Sequence, residues 1–391
     1  MFGNTKNNLE ERPMKKPKNW DQPCPNADCQ YYRLKNRGNI SAITSYMTQS
    51  GKRRIFHCNG CNQSFSETRD TVFFDLRTPE EKVIMALKML LVRVDLSGIC
   101  FVLGVTEQTV LEWLKRAAQK AQEINEYLLR ELPVTQVQLD EMWNFVFRKT
   151  SKQADDSGES FEDYEDGRQW AWISFAPEFR LILAAYVGPR TFESALKLIE
   201  LTVGVVLGIP CFFSDGFSCY LPALIEYYNV LKVFPRTGKP GRPKEPIKEP
   251  HPDLVYGQIV KKKEKGRLKE IVYKVVCGAK RLEELGLSIS TNLIERLNLT
   301  MRHCLAPFVR KSLSFCKDRT QLRRRVIFFQ AFYNFARPHM SLRLPLPEQQ
   351  RNGCGIIRPK WIERTPGMAA GLTDHVWSFR IDAKINSHFF R

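Results

Sequence analysis

Two sets of side chains in this sequence have the types and spacing to do chemistry. Cys24 and Cys29 form a C-x4-C pair, and Cys58 and Cys61 a C-x2-C pair, with 28 residues between them. Four thiolates presented on two tight turns can converge tetrahedrally on one Zn²⁺ and close its coordination sphere. Such an ion is structural, folding a segment too small to hold a core of its own. His57, beside the second pair, offers a substitute ligand. The second set is acidic: Asp140 in LDEMWNFV, Asp215 in FFSDGFSCY and Glu295 in NLIERLNLTMR. Three carboxylates converging from separated segments repel one another and any polyanion. Mg²⁺, with Mn²⁺ as the alternative, neutralises them and leaves coordination positions for phosphate oxygens. Two ions about 3.5–4 Å apart would activate an attacking oxygen and stabilise a leaving one in an in-line displacement. Spacing alone leaves open the plainer reading of each acid as a turn or cap residue. Glu270, Glu283 and Glu284 compete with Glu295 for the third place, and alternation puts Glu141 on the otherwise apolar face of its strand.

The elements that must position these groups follow from periodicity. Ser41–Tyr46 and Lys52–His57 read as a hairpin around Ser50-Gly51, holding the two cysteine turns. Thr135–Phe147, Gln169–Phe175 and Arg180–Val187 are strand-like, rich in β-branched and aromatic residues. In the first of them Gln138, Asp140 and Asn144 share one face, and Val137, Leu139, Trp143 and Phe145 the other. A helix at Thr191–Leu207 leads to a short buried strand, Ile209–Phe213, which a helical crossover makes parallel, and Asp215 stands at its carboxyl end. The fold class is therefore α/β. In NLIERLNLTMR the apolar Leu293, Ile294, Leu297 and Met301 face a core, and Glu295, Asn298 and Arg302 share another face. Upstream, Pro79 opens a helix with Val83, Ile84, Leu87, Leu90 and Leu91 at helical spacing. Leu96–Leu103, a turn at Gly104 and a helix from Glu107 to Leu129 complete a helix-turn-helix pattern, which also fits a plain three-helix bundle. Gln108, Thr109, Glu112, Lys115 and Arg116 would face a DNA groove and its phosphates.

Charge is distributed unevenly. Residues 131–230 carry 15 acidic and 7 basic side chains, net −8, whereas residues 231–350 carry 26 basic and 10 acidic, net +16. An acidic centre followed by a basic stretch suits a polyanion held against a cation-binding site, and charge alone fits a solvated basic surface equally well. Lys261, Lys262 and Lys263, with Lys265 and Arg267, lie in a likely hairpin formed by Leu254–Lys262 and Leu268–Cys277. They would contact the DNA backbone, as would Arg302, Arg310, Lys311, Lys317, Arg323, Arg324 and Arg325. Trp20, Trp143, Trp170 and Trp172 read as packing residues, and His339 as a hydrogen-bonding one. The longest apolar stretch, Val203 to Phe213, is shorter than the roughly 18–20 residues of a membrane span. No apolar leader follows the amino terminus, and eleven cysteines, an odd number, fit a reducing cytosol better than a disulfide framework. The expected location is cytoplasmic, on the nucleoid.

Taken together, HCNGCNQSFSETRDTVFF, GVTEQTVLEWLKRAA, LDEMWNFV, FFSDGFSCY, NLIERLNLTMR, FVRKSLSFCKD and YNFARPHMSL make residues 20–350 resemble the DDE transposases of bacterial insertion sequences, in the group with a zinc ribbon and helix-turn-helix. The resemblance implies a ribonuclease-H-like mixed-sheet catalytic core with Asp140, Asp215 and Glu295 in the three metal-binding positions. It implies Mg²⁺-dependent cleavage and strand transfer at the element's ends, without a covalent protein–DNA intermediate. Its partners would be double-stranded DNA, both ends and target, and at least a second copy of the chain. The expected domains are a disordered basic tail (1–19), a zinc ribbon (20–75), a helix-turn-helix domain (76–130), the catalytic domain (131–350, with an insertion at 231–288) and a tail (351–391). Two departures stand out: an acidic segment at Ser151–Gly167 and a proline-rich linker at Thr237–Pro252. RTPGMAAGLTDHVW (Arg364–Trp377) also resembles the tail of such transposases. The alternatives are a DNA-binding regulator or domesticated protein with an inactive catalytic domain, and a plain metal-dependent nuclease.

Overall fold

The computed structural model describes residues 20, 22–146, 167–234, 244–265, 267–310, 312–346 and 361–378. They fall into two compact units, one ending at Glu80 and one spanning Glu81–Ala383. The expected tail 1–19, the acidic segment up to residue 166 and 237–243 of the linker lie outside the described residues.

The first unit is a three-stranded antiparallel sheet, β1 (Ile40–Thr48), β2 (Gly51–Cys58) and β3 (Gln63–Ser66). Its hairpin closes at Thr48 opposite Gly51, as the sequence led one to expect. Its core is small: Ile40, Phe56 and Phe65 pack with Cys24, Cys29 and Cys58, and Trp20 meets Phe56 edge-on at 5.4 Å. A cluster of that size contributes little stability to a unit of this length.

The second unit opens with α1 (Glu80–Leu90), α2 (Leu96–Leu103) and α3 (Glu107–Leu128). Asp95 caps α2 by accepting from the Gly98 amide at 2.8 Å, and Thr106 caps α3 by accepting from the Thr109 amide at 3.3 Å. Between them Gly104 terminates α2 at φ 60°, ψ 48°, in the left-handed region that favours glycine. There follow β4 (Gln136–Val146), β5 (Gly167–Ala176), β6 (Leu181–Gly188), α4 (Phe192–Val203), β7 (Cys211–Asp215) and α5 (Tyr220–Tyr227). A ribbon of β8 (Asn229–Lys232) and β9 (Ile247–Pro250) precedes β10 (Val255–Glu264), β11 (Arg267–Cys277), α6 (Ala279–Glu284), α7 (Asn292–Cys304) and α8 (Arg319–Ala331). One six-stranded mixed sheet, ordered β11-β10-β7-β4-β5-β6, forms the centre. β4, β7 and β10 are parallel to one another, and the remaining pairs are antiparallel. The central β4 is covered on both faces, which is why its polar Gln138 and Asn144 are as buried as Val137 and Leu139.

Several expectations change here. The hairpin of the region read as an insertion (231–288) supplies two strands to this same sheet, and 247–250 of the supposed linker is strand rather than coil. The helices of the expected 76–130 domain belong, from Glu81 onward, to the same compact unit as the sheet. The buried stripe Val110, Trp113, Leu114, Ala117, Ala118 and Ala121 runs down α3, which packs along α8. Trp172 is fully buried as expected, but Trp143 is 49% exposed. The edge strand β6 is sealed by side chains in place of a strand. Asn334 accepts from the Ile182 amide at 3.0 Å and donates to its carbonyl at 2.9 Å, and Gln330 donates to Ile182 and Leu183. Asn334 sits in a π-helical turn, Phe332–Ala336, that continues α8.

Residues 361–378 of the expected tail fold onto that turn. β12 (Leu344–Pro345) pairs with β13 (Trp361–Ile362), and Thr365 caps the short α9 (Pro366–Ala369). Gly367 lies so close to Phe335 that a Cβ would stand 2.6 Å from its ring. Trp377 packs on Phe335 with ring centroids 5.2 Å apart and donates its amide to the Phe335 carbonyl at 2.9 Å. The segment is a clasp on the turn that places Asn334. Among the described residues no helix is long and apolar enough to cross a membrane.

Candidate active site

β4 and β7 run parallel and pair from Gln136/Cys211 to Leu139/Ser214. Their ladder stops there, and the next residue on each strand is an acid: Asp140 and Asp215. Two adjacent parallel strands thus deliver two carboxylates, at the same level, to the mouth where the strands part. The Asp215 carboxylate accepts from the Phe217 amide at 3.1 Å, an Asx turn that fixes its direction as the chain leaves the sheet. Asp140 accepts from the Glu141 amide at 2.9 Å and from the Asn298 side-chain amide at 2.5 Å. Asn298 comes from α7, which is docked on β4 by a 2.9 Å bond from the Ile294 amide to Gln138 Oε1.

Glu141, which alternation set on the opposite face, joins them: oxygens of Asp140, Glu141 and Asp215 lie within 4.8 Å of one another. It is held from its own side of the sheet. Arg190 donates to Glu141 Oε1 from Nε at 2.9 Å and from Nη2 at 2.5 Å, and the buried Tyr220 hydroxyl donates to Oε2 at 2.8 Å. Arg190 is itself fixed over the Phe217 ring at 4.3 Å and the Trp170 ring at 5.0 Å. Sequence reasoning missed both partners. Phe217 and Tyr220, inside FFSDGFSCY, were the available signal.

Burial, with Glu141 and Asp215 close by, pushes the Asp140 carboxyl up to about 7. Glu141 is also raised, first by burial and then by Asp215, against the lowering pull of Arg190 and Tyr220. Acids crowded in this way are short of positive charge.

Glu295 stands on α7 beside this group but outside it. Its carboxylate accepts from Lys261 Nζ at 2.6 Å and from Thr291 Oγ1 at 3.1 Å, and its charge adds to those raising Asp140. Of its competitors, Glu270 pairs with Lys262 at 2.9 Å, and Glu283 and Glu284 lie on α6. Arg302 is half-buried one turn beyond Asn298; burial and neighbouring Arg310 lower its pKa, while Asp140 raises it.

The donors here are all oxygens, the preference of Mg²⁺ and Mn²⁺. Asn298 Oδ1, buried beside Asp140, has no hydrogen-bond partner among the described residues. The residues therefore fit a hard divalent cation. In the first unit the thiols of Cys24, Cys29, Cys58 and Cys61 likewise lie within 4.8 Å of one another, a group that could hold a metal ion. Asn39 donates to Cys58 at 3.2 Å. His57 turns away to Ser64 at 3.3 Å.

Of the groups expected on DNA, Gln108, Arg310 and Arg323 are exposed and Thr109 and Arg324 half-buried. Lys115 and Arg116 pair with Glu112 along α3. Lys261 and Lys262 are exposed but engaged as above; the Lys263 side chain and Lys311 lie outside the described atoms. Lys317 reaches Glu107 at 3.0 Å. Arg325 is corrected: it is 5% exposed, beside Cys316, and unavailable to phosphate, because it lies on the inner side of α8. His339 meets Ser341 Oγ at 2.9 Å, the hydrogen-bonding role expected of it.

No protein-family model matches the sequence, and neither does any protein of curated function. Among solved structures the chain is similar to a Mos1 transposase paired-end complex with the left transposon end, at 15% identity and TM-score 0.15, covering 34% of this chain and 51% of that one. It is similar to a Mos1 mariner paired-end complex with Mn at 13% identity and TM-score 0.15, covering 34% and 52%. A Mos1 strand transfer complex matches at 12% identity and TM-score 0.18, covering 61% and 72%. The chain spans about half the length of the first two. Likenesses at these TM-scores carry no weight beside the geometry.

Proposed function

We propose that this chain is a DDE-type transposase that binds the ends of a mobile DNA element and cuts and joins DNA strands. One observation carries the reading: Asp140, midway along β4, and Asp215, at the carboxyl end of β7, stand side by side just past the last paired residues of these adjacent parallel strands, beside a helix bearing Glu295. On this reading the six-stranded sheet is a ribonuclease-H-like core and α1–α3 include a helix-turn-helix. The first unit is a zinc ribbon whose four cysteines hold structural Zn²⁺. Asp140, Asp215 and Glu295 would hold Mg²⁺ or Mn²⁺, which supplies charge neutralisation and activation of an attacking oxygen at the scissile phosphate.

The chain's own groups set the conditions for that chemistry. Asn298 orients Asp140 through its amide donor. Arg190 and Tyr220 occupy both oxygens of Glu141, making it a fixed negative wall beside the site. Glu295 is free to join the other two acids only by giving up Lys261. A DNA phosphate competing for Lys261 would favour that exchange, and on this reading Arg302, Arg310 and Lys262 would contact the backbone. Joining two ends needs at least two copies of the chain.

The Glu295–Lys261 pair also favours a second reading, a DNA-binding regulator whose acidic site stays incomplete. Incubating the full chain and Mg²⁺ with labelled DNA bearing the inverted repeats that flank its gene separates the two. Cleavage followed by joining is expected; binding alone supports the regulator, and cleavage without joining a plain nuclease. D140N and D215N should keep end binding and slow cutting by at least about a hundredfold. E295Q should do the same, whereas dependence on Glu141 in its place would reassign the third acid. If D140N and D215N both cut at the unsubstituted rate, the site is elsewhere.

A further inference from the structure

β11 is an outer strand of the six-stranded sheet; β10 pairs with one of its edges, and among the described residues no strand pairs with the other. It is eleven residues long and mostly exposed, and it displays Leu268, Ile271, Val275 and the 62%-exposed Tyr273 to solvent. An unpaired edge of this length and apolar content is a template for another strand, and sheets usually blunt such edges. Its own sequence, RLKEIVYKVVC, says which strand would fit.

A two-fold axis perpendicular to a sheet sets residues of the same face opposite one another across an antiparallel pair. Centred on Val272, the axis places Glu270 of each copy opposite Lys274 of the other. Ile271 then meets Tyr273 twice, inside the stretch Glu270–Val275 that pairs regularly with β10 between two register shifts. Opposite charges and apolar–aromatic pairs directly across a ladder are the stabilising combinations. Moving the axis to Ile271 sets Glu270 against Val272 and Lys274 against Leu268. Moving it to Tyr273 sets Glu270 against Val276 and Lys274 against Val272. Of these three registers, only the one centred on Val272 pairs the charges. Glu270's present bond to Lys262, at 2.9 Å between two exposed groups, is too weak a tie to oppose this.

We propose that two copies of this chain associate through antiparallel pairing of their β11 strands about Val272, forming one continuous sheet across the dimer. This goes beyond the reading of the carboxylate site and does not depend on it, since the test reads association without DNA or catalysis.

Sedimentation equilibrium of the full chain and its variants tests the pairing. The unsubstituted chain should dimerise, and E270K, which turns two attractive pairs into repulsive ones, should raise the dimer dissociation constant about tenfold. The double variant E270K/K274E restores opposite charges and should return the constant close to its original value. Under mild oxidation Val272→Cys should form an interchain disulfide above the unsubstituted background, and Ile271→Cys should not, because its opposite residue is Tyr273. A monomer at every concentration overturns the proposal. So do a dimer indifferent to E270K, a double variant that fails to recover, and absence of the Val272→Cys cross-link. A monomer in which E270K only strengthens duplex binding would overturn it in favour of DNA as the occupant of this edge.

Discussion

The carboxyl of Asp140 titrates at about 7 in the folded chain, against an ordinary value of 3.8, chiefly because it is buried and then because Glu141 and Asp215 are near. Between those values the folded chain holds a proton that the unfolded chain has released. Its contribution to stability is therefore lost as pH rises from about 4 to 7. Glu141 shifts in the same direction. A divalent cation bound by these oxygens favours their charged forms, so it removes the penalty where the penalty is largest. Without added metal the melting temperature of the second unit should fall between about pH 4 and pH 7. The gain in melting temperature on adding Mg²⁺ should be larger at the higher pH; an equal or smaller gain there contradicts a cation site at Asp140. Asp140 and Asp215 were legible in the sequence because strand alternation and the carboxyl-end rule are local. The holding of Glu141 was not, since Arg190 and Tyr220 lie 49 and 79 residues away and meet it only through the packing of the folded sheet.

At the scale of elements, the site depends on β4 staying central, and that depends on a closed edge at β6. Asn334 is fully buried and satisfies both the amide and the carbonyl of Ile182. Asn334→Ala would leave both groups without that partner, and should cost roughly 2–4 kcal/mol in urea unfolding. Asn334→Asp keeps the acceptor and loses the donor, so its loss should be smaller unless its charge stays ionised; a neutral outcome for Asn334→Ala would show that the edge is sealed by packing alone. The strands and helices around Asp140, Asp215 and Glu295 were readable from periodicity to within a few residues. The place of β10 was not. Parallel pairing of Val255–Ile259 with Cys211–Asp215 leaves no signature in either segment, so an inserted hairpin and a sheet strand read alike. The clasp of 361–378 was hidden for a similar reason, because its meaning lies in the fit of Gly367 and Trp377 against Phe335.

Across the whole molecule, stability is unequally sourced. The second unit has an extensive core on both faces of its sheet, whereas the first has a small cluster in which Ile40, Phe56 and Phe65 pack beside the cysteine thiols. On the proposal that these thiols hold zinc, a strong chelator should release amide protection throughout β1–β3 while β4 and β7 keep theirs, as hydrogen exchange would read. Simultaneous loss in both units would contradict independent folding. The formal charge of +18 was plain in the sequence and is consistent with the proposed DNA partner. What composition could not give was the one arrangement on which the enzyme reading stands: two acids from strands 75 positions apart, set level by the β4–β7 register. Titrating the full chain with Mn²⁺ and following the free-ion electron paramagnetic resonance signal, to which bound zinc is silent, reads that arrangement directly. The expected result is saturable binding in the unsubstituted chain and in E270Q, lost in both D140N and D215N; binding that survives both substitutions would show that these acids do not form a metal site.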